Sequence, residues 1–437
     1  MTATSAYPRV LGILGLATLL AGDAWRNLIG WWGWGAVVGV LLVLIVIEGV
    51  RARVNLQRVP IGIPVFLLLT LASALWSAYP VATVLGSLTT IATATGAAIM
   101  VARFAWTELV AMLAAALRWI LGLSLLFELV VSLLVRERVL PFWVDWSDLD
   151  RIPAAFYWSR NLLLEGGRIQ GIVGNANILG MLAVLALLVF GLRMLLRQGS
   201  PLWAWVWIVV AVATIALTRS STSIAVLAAL AVAIGYLVLV RRASPARRPV
   251  VHLAAAGAVV LLVAAVLVFR APLLALLGKS SDLTYRFDIW DAVIGLWAER
   301  PAAGWGWVSY WAPWVEPFDD LVVIRGVTYL QAHNAWLDVM MQLGIVGLVV
   351  FGALVLGATA RSWLLAIGAG DTAGDRPRPE TTLPFLLMVA LLVQSLAESR
   401  LLIEWGMFAL IAISILTIRI GSEPDARPLS RIVRNRG

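Results

Sequence analysis

Residues 335–360 read AWLDVMMQLGIVGLVVFGALVLGATA, with one charged side chain, Asp338, in the whole stretch. A bilayer-spanning helix needs about 20 predominantly apolar residues, and this run exceeds that. Eleven further stretches read the same way, near 9–22, 28–47, 60–78, 81–102, 109–135, 171–192, 202–218, 222–240, 250–270, 384–397 and 401–419. The pattern predicts an all-α polytopic membrane protein of about twelve transmembrane helices, one integral-membrane domain over 1–437. The apolar run Val10 to Gly22 behind Arg9 is read as the first span and not as a cleaved leader.

Composition agrees. The chain has 437 residues, 62% hydrophobic and 13% charged, with a mean hydropathy of +0.94. Soluble domains run at about 45–50% apolar and about 25% charged, so a soluble enzyme, a disordered chain and a disulfide scaffold are excluded. There is no cysteine, which excludes disulfides, thiolate metal sites, cysteine nucleophiles and a lipoprotein anchor. With only two histidines, His252 and His333, a multi-histidine metal site is excluded too, and no metal or cofactor is expected.

The net charge of +9 follows the positive-inside rule and is not read as a nucleic-acid surface. With the N-terminus inside, short cytoplasmic loops carry Arg51, Arg53 and Arg58; Arg193 and Arg197; Arg241, Arg242, Arg247 and Arg248; and Arg361, Arg376 and Arg378. The basic tail 421–437 and the Gly/Pro-rich linker 368–383 fall on the same side. The tail is placed to touch anionic lipid. The external loop 136–170 carries five arginines and five acids, and the large external loop 270–332 five basic residues and seven acids. The expectation is an N-in, C-in protein of the bacterial cytoplasmic membrane. Trp31, Trp32, Trp34, Trp203, Trp205 and Trp207 lie near span ends, where indoles favour the interface.

No Walker or Rossmann pattern is present in the cytoplasmic loops. The unusual polar residues gather in three outer segments. In Gly166 to Gly180, Arg168 stands at the mouth of a span, with Asn175 and Asn177 at or just inside the bilayer. Polar groups there need partners; headgroup snorkelling and helix–helix bonding are the ordinary alternatives. In Thr284 to Pro301, Ile289, Trp290, Val293, Ile294 and Trp297 recur at helical spacing. That predicts an amphipathic helix over 286–299, lying on the bilayer, with Arg286 in its first turn. A phosphate there would meet the guanidinium and the helix N-terminus; pairing with Asp282 or Asp288 is the alternative. In Ala332 to Gly347, His333 opens a hydrophobic helix, either as a proton acceptor or as a polar cap. His252 is read as interfacial.

In order and spacing, these segments resemble the bacterial O-antigen ligase and polymerase family of polytopic membrane glycosyltransferases. The matching features are Arg168 to Asn177; Arg286 with Trp290, Glu299-Arg300-Pro301 and Gly304-Trp305-Gly306; and His333-Asn334 followed by Gly344 and Gly347. Leu217 to Thr222 matches less closely. The resemblance implies a glycan donor on undecaprenyl diphosphate, passed to an acceptor hydroxyl of a lipid, glycan or protein on the outer face, without nucleotide sugar or metal. Membrane lipids are the other expected partners, and nucleic acid is not one. It further implies that Arg168 and Arg286 bind the diphosphate, with Arg219 a weaker candidate, and that His333 is the base. Asn334, Asn175, Asn177 and Trp290 would bind or orient substrate.

A polysaccharide or lipid-linked sugar transporter is the alternative; Arg118 and Glu128 within one span are its weak support. Glu398, Arg400 and Glu404 cluster at the turn between the last two spans, where they can complete the external site. The length of loop 270–332 predicts a lid.

Overall fold

The computed structural model describes residues 6–147, 151–268, 280–324, 326–368 and 379–421. The tail from 422 onward, most of the linker 368–383 and the opening part of loop 270–332 lie outside the described residues.

The described chain is a helical bundle with a small lobe at one end. Its helices are α1 (Ala6–Leu20), α2 (Gly22–Arg51), α3 (Gly62–Ala72), α4 (Pro80–Arg103), α5 (Trp106–Val130), α6 (Ala176–Leu195) and α7 (Pro201–Thr218). After these come α8 (Ser221–Arg242), α9 (Arg248–Val268), α10 (Ser280–Glu299), α11 (Ala335–Ile367), α12 (Thr382–Ser395) and α13 (Glu404–Gly421). A two-residue hairpin, β1 (Val323–Ile324) against β2 (Val327–Thr328), is the one sheet among the described residues.

Seven of the helices, α2, α4 to α8 and α11, are long and apolar enough to cross a membrane. The other five expected spans fall on α1, α3, α9, α12 and α13. Val40 and Val43 on α2, and Leu202, Trp203 and Val209 on α7, are exposed. A soluble protein buries such residues in a core; on a bundle of this length they form a lipid-facing surface.

Two apolar clusters hold the chain together. The larger runs through the bundle and includes Phe66, Leu117, Leu179, Leu182, Phe190, Phe351, Met388 and Leu410. The smaller joins the lobe to the bundle end and contains Ile289, Val293, Leu296, Trp311, Phe318 and Met341. The apolar stripe of α10 divides: Ile289 and Val293 are fully buried in the smaller cluster, while Ile294 is exposed.

The lobe docks into a break in α11. Gly344 has φ +63°, outside helical geometry, so neighbouring backbone groups lose their helical partners. The turn after Pro301 takes them. Ile345 and Val346 donate to the carbonyls of Pro301 (2.9 Å) and Ala302 (3.2 Å), while Trp305 and Gly306 donate to those of Met341 (3.1 Å) and Gln342 (2.8 Å). A Cβ on Gly344 would collide with the Ala302 carbonyl, and one on Gly304 with the Gln342 backbone. Positive φ and close backbone approach together require glycine at both positions.

Candidate functional site

Three helices begin at the lobe end with a side-chain cap. Asn175 Oδ1 accepts from the N–H groups of Asn177 (2.9 Å) and Ile178 (3.2 Å) at the start of α6. Ser220 Oγ accepts from Ser223 N–H (3.2 Å) at the start of α8. Asn334 Oδ1 accepts from Trp336 (3.0 Å) and Leu337 (3.3 Å) at the start of α11. These are ordinary N-caps. Asn175 and Asn334, expected to orient sugar or imidazole, use their side-chain oxygens to cap helix ends.

Beside those caps lies a cluster centred on Glu398, in the turn between α12 and α13. Glu398 Oε1 accepts from Asn177 Nδ2 (3.1 Å) and Arg286 Nη2 (3.2 Å), and its Oε2 lies 3.0 Å from His333 Nδ1. Asn177 Oδ1 accepts from Arg168 Nη2 (2.8 Å) and from Ser220 Oγ (3.1 Å). Arg168 Nε donates to the Thr218 carbonyl (3.1 Å). The structure therefore brings Arg168, Asn177, Arg286 and His333 into one network. Its longest single bond, Asn177 to Glu398, joins residues 221 apart in the sequence.

The electrostatics follow from this geometry. Burial works against charge on Glu398, but the His333 imidazole, its hydrogen bond, Arg286 and Asn177 together outweigh it and hold the carboxyl at about 2. An ionised carboxylate only accepts hydrogen bonds, so His333 Nδ1 carries the hydrogen. In the neutral imidazole Nε2 is then the proton-accepting atom. His333 sits at φ +50°, a costly conformation for a non-glycine residue, with its ring edge-on to Tyr329 at 5.9 Å.

Two further buried acids brace the segments that carry these groups. Asp338 accepts from Trp311 Nε1 (2.8 Å), from Ala332 N–H (3.2 Å) and from Ser399 Oγ. It thereby pins the residue before His333 and the residue after Glu398. Glu128 on α5 accepts from Ser159 Oγ (2.9 Å) and from the N–H groups of Gln170 (2.9 Å) and Gly171 (2.7 Å), which fixes the loop segment just past Arg168.

Other expectations resolve differently. Arg286 is not in a first turn, because α10 already runs from Ser280. Its ion pair is with Glu398 and not with Asp288. Arg219 is the exposed, left-handed residue ending α7, beside Gly166, and makes no bond to the cluster. Trp290 Nε1 donates to the Ala332 carbonyl (3.0 Å), so it positions the backbone next to His333. Arg118 does not meet Glu128; its guanidinium stacks on Phe190 at 5.6 Å. Among the described residues no three His, Asp or Glu side chains gather as a metal site.

Fold and cluster together define a multi-pass helical membrane protein with a basic, imidazole-containing site at one end of the bundle. Residues 206–352 match the family model described as O-antigen ligase. The matched stretch is 147 of the 437 residues, about a third of the chain, and over that stretch the chain is similar to the O-antigen ligase family. The matched stretch runs from α7 into α11 and carries Arg286, Trp290 and His333; Arg168, Asn177 and Glu398 lie outside it. No curated protein is similar enough to the chain to count as a match.

Proposed function

We propose that this chain transfers a glycan from an undecaprenyl diphosphate carrier to an acceptor hydroxyl, with the site on the outer face of the cytoplasmic membrane. The observation that carries the reading is the union of Arg168, Arg286 and His333 through Asn177 and Glu398. As the anomeric C–O bond breaks, charge develops on the departing diphosphate, and fixed cations there are worth most. Arg168 and Arg286 offer planar, permanently charged forks suited to phosphate oxygens. The acceptor hydroxyl gives its proton to His333 Nε2 as its oxygen bonds to the anomeric carbon. Glu398 orients the imidazole and stabilises the imidazolium that forms. The outer placement is supported by the arginine bias of the opposite loops.

The test is to substitute His333→Ala and Arg286→Ala separately, verify membrane insertion, and follow both lipid-linked donor and product. Accumulated undecaprenyl-linked glycan with loss of product is expected. Normal transfer by both variants would remove these residues from the chemistry.

A further inference from the structure

The outer segments hold a second gathering of arginines that the transfer step leaves unused. Val139 and Ser159 form an isolated antiparallel bridge, each N–H donating to the other's carbonyl, at 2.9 and 3.2 Å. In an antiparallel pair the next residues outward stand across from one another, so Arg138 faces Arg160. Like charges directly opposite destabilise a strand pair. Among the described residues no carboxylate lies within ion-pair distance of Arg138, Arg160 or Arg168; Glu128 is held beside them by Ser159 Oγ and the Gln170 and Gly171 N–H groups.

The groups are nonetheless held in place. Arg160 Nε donates to the Ala154 carbonyl at 2.9 Å, and the Arg138 guanidinium lies over the Tyr157 ring at 5.5 Å. Arg160 is half-buried. Ser159 and the Gln170 and Gly171 N–H groups meet on Glu128, which brings the segment of Arg160 alongside that of Arg168; the charged form of Arg160 is disfavoured by its burial and then by the charges of Arg168 and Arg138. Arg168 in turn bonds Asn177 in the Glu398 cluster. Arg138 is exposed, and a basic patch beside a reaction site concentrates anions there.

We propose that Arg138 and Arg160 form an anion subsite beside Arg168, which receives the carboxylate or phosphate substituents of an acidic glycan. This rests on the transfer reading above and names its substrate class. Half-burial of Arg160 and its place beside the reaction site favour a sugar chain over phospholipid headgroups. The acidic glycan can belong to the donor or to the acceptor.

The experiment uses the full-length protein in nanodiscs of neutral lipid. Binding of a galacturonate tetrasaccharide is compared with that of neutral maltotetraose, in wild type, Arg138→Gln/Arg160→Gln and Arg138→Glu. Losing two charge-assisted contacts weakens acidic binding by about tenfold or more, and neutral binding stays unchanged. Arg138→Glu places an acid opposite Arg160, so it keeps or raises thermal stability while losing the acidic sugar. That combination separates a lost site from a lost fold. In transfer assays, an acidic donor with a neutral acceptor, and the reverse pairing, assign the subsite to the side whose KM rises, with kcat within about twofold. Equal binding by wild type and both variants overturns the proposal. So does a subsite that responds only to added anionic phospholipid. If His333→Ala transfers normally, the reaction reading fails on its own, while the binding comparison still reports on the subsite.

Discussion

Glu398 and Glu404 sit six residues apart and organise opposite kinds of charge cluster. Glu404 belongs to a closed ring. Arg26 donates to Glu404 (2.5 Å) and Asp23, and Arg400 donates to Glu404 (2.5 Å) and Asp23 (2.6 Å). Two cations meet two anions, and the Arg26 guanidinium is further held between Trp31 and Trp34 at 5.0 and 4.8 Å. The arginines are almost wholly buried, with side chains 7% and 5% exposed. Around Glu398 a single anion faces Arg286 directly, Arg168 through Asn177, and His333; the Arg286 and His333 side chains are about a fifth exposed. The ring is charge-balanced, with its arginines buried and only Asp23 partly exposed, at 24%, and it ties the α1–α2 turn to the start of α13. The Glu398 cluster carries surplus positive charge and opens outward. A balanced ring has no charge left for a ligand; an unbalanced, accessible one does.

The largest expected effect tests the open cluster. His333→Ala should lower kcat by about 10²–10⁴-fold, the range for a lost general base, and leave thermal stability close to wild type. Transfer rates in proteoliposomes beside a melting curve check both halves. A variant that melts early while its folded fraction still transfers would turn the imidazole into a structural cap and erase the contrast with the ring.

Arg26→Met should do the reverse. Removing one partner from a buried charge network costs about 3–5 kcal/mol, because Asp23 and Glu404 lose a shared cation. The denaturation midpoint should fall sharply, with kcat of the surviving folded protein within a few-fold of wild type. Full stability combined with abolished transfer would make the ring part of the site.

The contrast also shows what a sequence exposes. Apolar runs of spanning length announce the bundle because lipid demands them. Arg168, Arg286 and His333 stand out because charged groups beside a span are costly and need a reason. Glu398 was visible only as one of three charges in a turn, and nothing local says that it joins Asn177 while Arg400 and Glu404 join Asp23 and Arg26. That division depends on helix packing across hundreds of residues. The sequence places the start of α10 late, at 286 and not at Ser280, because its first turns, Ser280 to Tyr285, are mostly polar while the apolar stripe begins at Ile289. The stripe itself fits a lobe core as well as a bilayer surface, since both ask only for an apolar face. Asn175 and Asn334 drew attention as polar residues near lipid, yet an asparagine one residue before a helix is the common N-cap signature.

A smaller effect is expected for Glu398→Gln. The amide keeps the shape but no longer favours the Nδ1–H tautomer or an imidazolium, so kcat should fall by about 10- to 1,000-fold, less than for His333→Ala. Loss of the anion also leaves Arg286 without its counter-charge, so donor KM should hold or fall while kcat drops. A rise in donor KM at unchanged kcat would mean that Glu398 shapes the binding pocket and does not act through the imidazole.

The smallest effect is a pH window. The folded-state carboxyl of Glu398 is held at about 2 against an ordinary value of 4.5. A lowered folded value means that its contribution to stability is complete above about pH 4.5 and is lost as the pH falls through about 2. The turn Ser399–Leu402, which Glu398 introduces, should therefore stay protected from amide exchange down to about pH 4.5 and loosen below it. Asp338, Asp23 and Glu404 also anchor this turn through Ser399 and Arg400, so wild type alone cannot assign the change. The difference between wild type and Glu398→Gln can, because only the Glu398 contribution disappears from it. If the two profiles run parallel from pH 6 to 3, the turn is held by the closed ring and Asp338 alone, and the open cluster contributes chemistry without contributing stability.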